Sequence, residues 1–94
     1  MEGIEETLRR FLAETILFSG NGYPYPDEAS FLENGVVDSM SVMELVLFVE
    51  KTFSLTIGDK EIIPANFDSV SNLATFVRAK LAERAQVARQ RDGG

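Results

Sequence analysis

Few side chains in this sequence can do covalent chemistry, because it contains no histidine and no cysteine. The candidate is Ser39, which follows Asp38 and precedes Met40 where an apolar helical pattern begins. A serine hydroxyl is a weak nucleophile until a neighbouring base takes its proton. Ser-His chemistry is impossible here, and no lysine in the surrounding segment is placed to act as that base. A hydroxyl in this position is suited to being modified by another protein.

Other arrangements are weaker. The acidic pairs Asp27-Glu28 and Asp59/Glu61 lie in loop-like sequence, where carboxylates are normally solvated. The Asp-x-Asp-x-Asp-Gly pattern of a calcium loop is absent, and a zinc site lacks its usual ligands. An Asp-Ser pair before a helix is also an ordinary cap, since both side chains accept hydrogen bonds from the free N–H groups of the first turn. Ser41-Val42-Met43-Glu44 fits a capping box that would start the helix two residues later. Context distinguishes Asp38-Ser39: Gly35-Val36-Val37 leads into it, and a core stripe starts three residues on.

The elements that position this serine follow from hydrophobic spacing. Ile4, Leu8, Phe11, Leu12 and Phe18 fall near one side of a helical wheel, which predicts a first helix over about residues 3 to 18. Ser19-Gly20-Asn21-Gly22 ends it, and Tyr23-Pro24-Tyr25-Pro26 cannot continue it. A long loop then runs to about Asp38, with Phe31, Leu32, Val36 and Val37 as its expected anchors. Val42, Leu45, Val46, Val49 and Phe53 cluster within roughly 100° of arc, predicting a second helix over residues 39 to 53. Thr52 to Ile57 are weak helix formers that should stop it. Asp59 could cap a short turn through Ile63 before Pro64. Asp68 or Ser69 should cap a last helix whose buried stripe is Val70, Leu73, Ala74, Val77 and Leu81. Val46, Val49, Phe53, Phe11, Leu73 and Val77 are then the expected shared core.

No run alternates with period two for long enough to predict a strand. Three main helices, one short helix and a long loop between helices 1 and 2 predict an all-α antiparallel four-helix bundle. The 94 residues make one domain over 1–85, with residues 86–94 expected as a frayed and disordered tail. At 45% apolar residues there is enough for one compact core.

The net charge is −6, unevenly spread. Residues 1–68 carry thirteen acidic and four basic side chains, a balance of −9; residues 69–94 carry two acidic and five basic ones, a balance of +3. An acidic body disfavours nucleic acid, whose phosphates need a basic surface, and suits partners with basic docking patches. The longest apolar run, Leu45 to Val49, is far short of the ~20 residues of a membrane span. Met1-Glu2-Gly3 has none of the basic and apolar character of a signal peptide. These features predict a soluble cytoplasmic monomer.

The run from Phe31 to Phe53, with Gly35-Val36-Val37-Asp38-Ser39-Met40 at its centre, resembles the phosphopantetheine attachment site of acyl and peptidyl carrier proteins. Ile63-Pro64-Ala65-Asn66-Phe67-Asp68-Ser69-Val70 is similar to the segment that leads into the last helix of stand-alone carriers. The resemblance extends over about residues 4 to 83 and implies the same four-helix fold. It implies a carrier with no catalytic residues of its own. Ser39 would hold a covalent 4'-phosphopantetheine arm, and Asp38 would help a phosphopantetheinyl transferase position its metal and the serine. The arm's thiol would carry acyl or aminoacyl groups as thioesters, which explains a protein without cysteine. Further implied partners are an adenylating ligase or acyltransferase and a downstream synthase or transferase.

Two departures narrow the expectation. Val36-Val37 replace the small residues that fatty-acid carriers often have before the aspartate, and Lys51 and Thr52 stand where their second helix is acidic. The first looks more like stand-alone and peptidyl carriers, and the second implies a narrower, more hydrophobic partner set than a fatty-acid carrier has. Two types remain: an aminoacyl or peptidyl carrier beside an adenylating enzyme, and a polyketide or specialised lipid carrier. The Asp-Ser-Met triplet is also similar to that of D-alanyl carriers. Opposite the core stripe, Met40, Met43 and Leu47 with Glu44 form an expected docking face for the loading enzyme, where Met gives adaptable contact. Phe48 lies beside it, and loop 19–37 could cover Phe48 and Leu47. The alternative from another class is a helical adaptor domain with no prosthetic group. Gly93-Gly94 suggests a ubiquitin-like modifier, but that fold needs alternating strands.

Overall fold

The chain folds as a small all-α domain of four helices with a long loop between the first and second. The computed structural model describes residues 3–93, with side chains described through residue 85. The tail expected at residues 86–94 lies outside the fully described part. Helix α1 spans Ile4–Phe11, α2 Ser41–Phe53, α3 Pro64–Phe67 and α4 Val70–Gly93, with a 3₁₀ turn at Asp59–Glu61. No strand occurs among the described residues.

The first helix departs from expectation at its end. After Phe11 the chain widens into a π-helical turn, Leu12–Ile16, in which the Leu17 N–H donates to the Leu12 carbonyl at 2.8 Å. Widening advances the register, so Ala13 joins Leu8 and Leu12 in the core. Phe18, expected on the buried stripe, is 83% exposed and has φ +52°. It occupies the left-handed position that ends the helix, and the next N–H, that of Ser19, returns to the Ala13 carbonyl at 2.7 Å.

Helix α2 buries Leu45, Val46 and Val49, while Val42 and Phe53 are only partly covered. It ends at Ser54, whose φ of +56° is the left-handed terminator, and the Leu55 N–H returns to the Glu50 carbonyl. Arg84 of α4 donates to the Ser54 carbonyl at 2.7 Å, placing a cation at the negative end of α2. Helix α4 buries Val70, Leu73, Ala74 and Val77 as expected, and also Phe76. Leu81 is partly buried. Phe11, expected in the shared core, is likewise only partly buried and stacks on Phe48 of α2 with ring centroids 3.9 Å apart.

Caps around the last two helices are redistributed. Ser69 caps α4, its Oγ accepting the Asn72 N–H at 3.0 Å. Asp59 does not cap the 3₁₀ turn with its side chain. Instead Glu61 Oε1 accepts the Gly58 N–H at 2.9 Å, and Lys80 of α4 donates to both Glu61 oxygens at 3.1 Å. Those bonds hold the Glu61 carboxyl below the usual glutamate range, the Gly58 N–H first among the causes.

The long loop is anchored by Phe31, Val36 and Val37, all buried; Leu32, expected to join them, is 62% exposed. The turn at 31–35 points Phe31 inward and leaves Leu32 outside. Gly35 closes this turn at φ +66°, a conformation other residues adopt with strain. The Val36 N–H then donates to the Phe31 carbonyl at 2.8 Å.

Candidate functional site

Asp38 and Ser39 stand where the loop runs into α2. Regular helix begins at Ser41, as the capping-box alternative allowed, but Asp38 is the residue that caps it. Asp38 Oδ1 accepts the Met40 N–H at 3.0 Å and the Ser41 N–H at 2.8 Å, and its carbonyl accepts the first helical bond, from the Val42 N–H at 3.0 Å. Ser39 therefore sits in the first turn, its side chain exposed, and no hydrogen bond to its hydroxyl occurs among the described residues. The Ser41 N–H is the main cause that holds the Asp38 carboxyl below the usual aspartate range, with the Ser41 hydroxyl and the Met40 N–H adding to it.

This geometry decides what Asp38 can do. A carboxylate stabilised by two N–H donors and the helix dipole is a poor proton acceptor. The only acid-base group beside Ser39 in sequence thus leaves the hydroxyl unactivated.

The sign of the pH effect follows. Asp38 has a lower pKa folded than unfolded, so its stabilisation is fully present above the ordinary aspartate range near ~4. It is lost as pH falls through the depressed folded-state value. Asp38→Asn keeps an oxygen for the cap but removes the charge. Urea midpoints of wild type and Asp38→Asn should differ at neutral pH and converge once the pH has fallen below the depressed folded-state pKa of Asp38. A gap that stays constant with pH would show that the charge contributes nothing.

Beside Ser39 lies a groove of about 240 Å³ that is almost wholly apolar. Phe31, Leu32 and Val37 of the loop form one side, Val42 of α2 contributes, and Ile62, Ile63, Pro64 and Phe67 form the other. Asp38, Ser39 and Asp68 complete the lining, which contains no lysine, arginine or histidine. Ile63 is 45% exposed, so the groove opens to solvent near the serine. Sequence reasoning missed this groove, because its walls come from three segments distant in the chain. The signal available was the unexplained apolar pair Ile62-Ile63 before Pro64.

The expected docking residues fall into two groups. Met40, Met43 and Leu47 are 81%, 49% and 61% exposed, and Glu44 is exposed among them, so together they form one surface following Ser39. Phe48 is set apart from them, with Phe11 stacked on its ring.

Compared with known protein families and with curated proteins, the chain matches none. The site therefore rests on its own geometry. Among the described residues, no group of three or more acidic side chains could hold a metal ion, and no helix is long and apolar enough to cross a membrane.

Proposed function

We propose that this chain is a carrier domain that accepts a 4'-phosphopantetheine arm on Ser39. The observation that carries the reading is an exposed, unbonded and unactivated serine in the first turn of α2, beside an apolar groove. In the transfer, Ser39 Oγ would bond to the phosphorus of the pantetheine arm of coenzyme A. The pyrophosphate link would break, adenosine 3',5'-bisphosphate would leave, and the transferase would take the serine proton. When bound, the arm supplies a thiol that holds acyl or aminoacyl groups as thioesters.

The chain's own residues fit that group in three ways. Ser39 needs no rearrangement to be reached, since its side chain is already exposed. The positive end of the α2 dipole favours the phosphodiester. Asp38 already occupies the Met40 and Ser41 N–H groups, so the dipole rather than those donors provides the attraction. The groove offers an apolar acyl group shelter from water, worth about 25 cal/mol per Å² of buried apolar surface. That lining favours an acyl cargo over a charged aminoacyl one, and with it an acyltransferase or acyl-activating ligase as loading partner.

The test is mass spectrometry of the unmodified protein after incubation with coenzyme A and a promiscuous phosphopantetheinyl transferase. Gain of one phosphopantetheine mass on the Ser39 peptide is expected. An unchanged mass with several transferases would remove the carrier reading and favour the adaptor, whose interaction face would be Met40, Met43 and Leu47.

In the carrier reading that face docks the loading enzyme. Met43→Ala and Glu44→Ala should each change stability by only a few tenths of a kcal/mol, as exposed substitutions do. Met43→Ala should still slow loading several-fold, because truncating a central apolar anchor costs about 1 kcal/mol or more of binding. Glu44→Ala should act on encounter and fade as salt rises. Loading rate measured against melting temperature separates docking from folding. Unchanged loading in both variants would place the docking surface elsewhere.

A further inference from the structure

The loop wall of the groove is tied to the link between α3 and α4 through one acidic residue, Asp68. Asp68 Oδ2 accepts the Ser30 hydroxyl at 2.6 Å, and Asp68 Oδ1 accepts the Leu32 N–H at 3.0 Å. The Asp68 carbonyl accepts the Phe31 N–H at 2.7 Å. Ser30 Oγ in turn accepts the Glu33 N–H at 3.1 Å. Four consecutive loop residues, 30 to 33, are thus fastened directly or through Ser30 to a single residue. Ser69 caps α4 instead, so Asp68 is free for this role.

The opposite wall is held by a separate device. Glu61 binds the Gly58 N–H and Lys80, and the Glu61 carbonyl accepts the Asn66 side-chain amide at 2.9 Å. That set fixes the segment bearing Ile62 and Ile63. The width of the groove is therefore the separation of two walls, each pinned by a carboxylate. The loop wall is uneven: Phe31 and Val37 anchor it from inside, while Leu32 between them is 62% exposed and its N–H is held by Asp68.

We propose that Asp68 is a positioning residue that sets how large an acyl group the groove accepts, a specificity that rests on the carrier reading of Ser39. The present volume, about 240 Å³, is below the roughly 300–1,000 Å³ of pockets for drug-sized ligands. With the latch closed the groove takes a short acyl chain; with the latch released Leu32 swings outward and longer chains enter.

The test needs no prosthetic arm. Unmodified protein is titrated with S-acyl-N-acetylcysteamine thioesters of increasing chain length, and binding is read from the amide NMR shifts of Val37, Val42 and Ile63. Wild type should bind short chains best. Ser30→Ala is the decisive variant, because Ser30 does not line the groove. It should raise the affinity for long chains relative to short ones about five- to tenfold, the factor carried by one net hydrogen bond. Asp68→Ala should shift the preference the same way. The double variant should go no further than Asp68→Ala, since both release one latch. Asp68→Asn should restore the wild-type preference, as its amide oxygen can accept the Leu32 N–H and its amide nitrogen can donate to Ser30.

Three outcomes overturn the proposal. A shift in Asp68→Ala without one in Ser30→Ala would mean that shortening a lining residue merely reshapes the groove. A uniform loss of affinity at all lengths, together with a lower melting temperature, would mean that the latch only supports the fold. No binding by wild type at any length would mean that the groove takes no acyl group. Modification of Ser39 is measured separately, so the carrier reading can stand or fall independently of these results.

Discussion

Ser39→Ala is expected to abolish phosphopantetheine attachment while leaving the domain folded. The side chain is exposed and unbonded, so truncating it to alanine breaks no hydrogen bond. Alanine in the first turn of α2 is a better helix former than serine. The Asp38 cap, which fastens that turn, bonds the N–H groups of Met40 and Ser41 and not the Ser39 side chain. Stability should stay within about 0.5 kcal/mol of wild type, with unchanged helicity by circular dichroism. The nearby serines are poor substitutes: Ser30 is engaged by Asp68, and Ser69 is buried as the α4 cap. Attachment should therefore fall to nothing rather than move. A mass gain that persists in Ser39→Ala would sink the assignment.

Phe31→Ala should be the most damaging single truncation in the loop. Phe31 is 1% exposed and is the largest fully buried side chain described. Its ring meets Tyr23 edge-to-face at 6.5 Å between centroids. Emptying that site should cost roughly 3–5 kcal/mol, a large fraction of the ~5–15 kcal/mol that holds a domain together. A fall in melting temperature of more than about 10 °C follows for a domain of this size. The Tyr23 hydroxyl is buried with no hydrogen-bond partner among the described residues, and burial pushes its pKa up to about 12. Phe53→Ala should cost less, since Phe53 is only partly covered. If Phe31→Ala melts within a few degrees of wild type, the loop is not packed as described.

Much of this molecule was legible from local pattern. Helical periodicity identified Leu8, Leu12, Leu45, Val46, Val49, Val70, Leu73, Ala74 and Val77 as core residues, and all nine are buried. Gly-Pro punctuation located the loop, and Asp38-Ser39 before an apolar stripe located the start of α2 and its cap. These features depend on residues within about a turn of one another, where side-chain spacing alone determines which face is apolar.

What the tertiary structure decided depends on contacts between distant segments. Phe31 and Leu32 are adjacent and equally apolar, yet one is buried and the other exposed, because the turn they share is fastened to Asp68, 36 residues beyond Leu32. Phe18 continued the stripe by spacing, but the π-helical turn before it advanced the register and put it in solvent. Asp68 and Ser69 both read as caps of the last helix from their neighbours, and the structure divides the roles: Ser69 caps α4 while Asp68 bonds Ser30 and Leu32. The only local trace of the groove is the Ile62-Ile63 pair, since its loop wall and its Ile62-Ile63 wall meet only when α2, α3 and α4 pack. Periodicity encodes the face an element will bury; the partner that reaches a loop residue is set by where the rest of the chain returns in space.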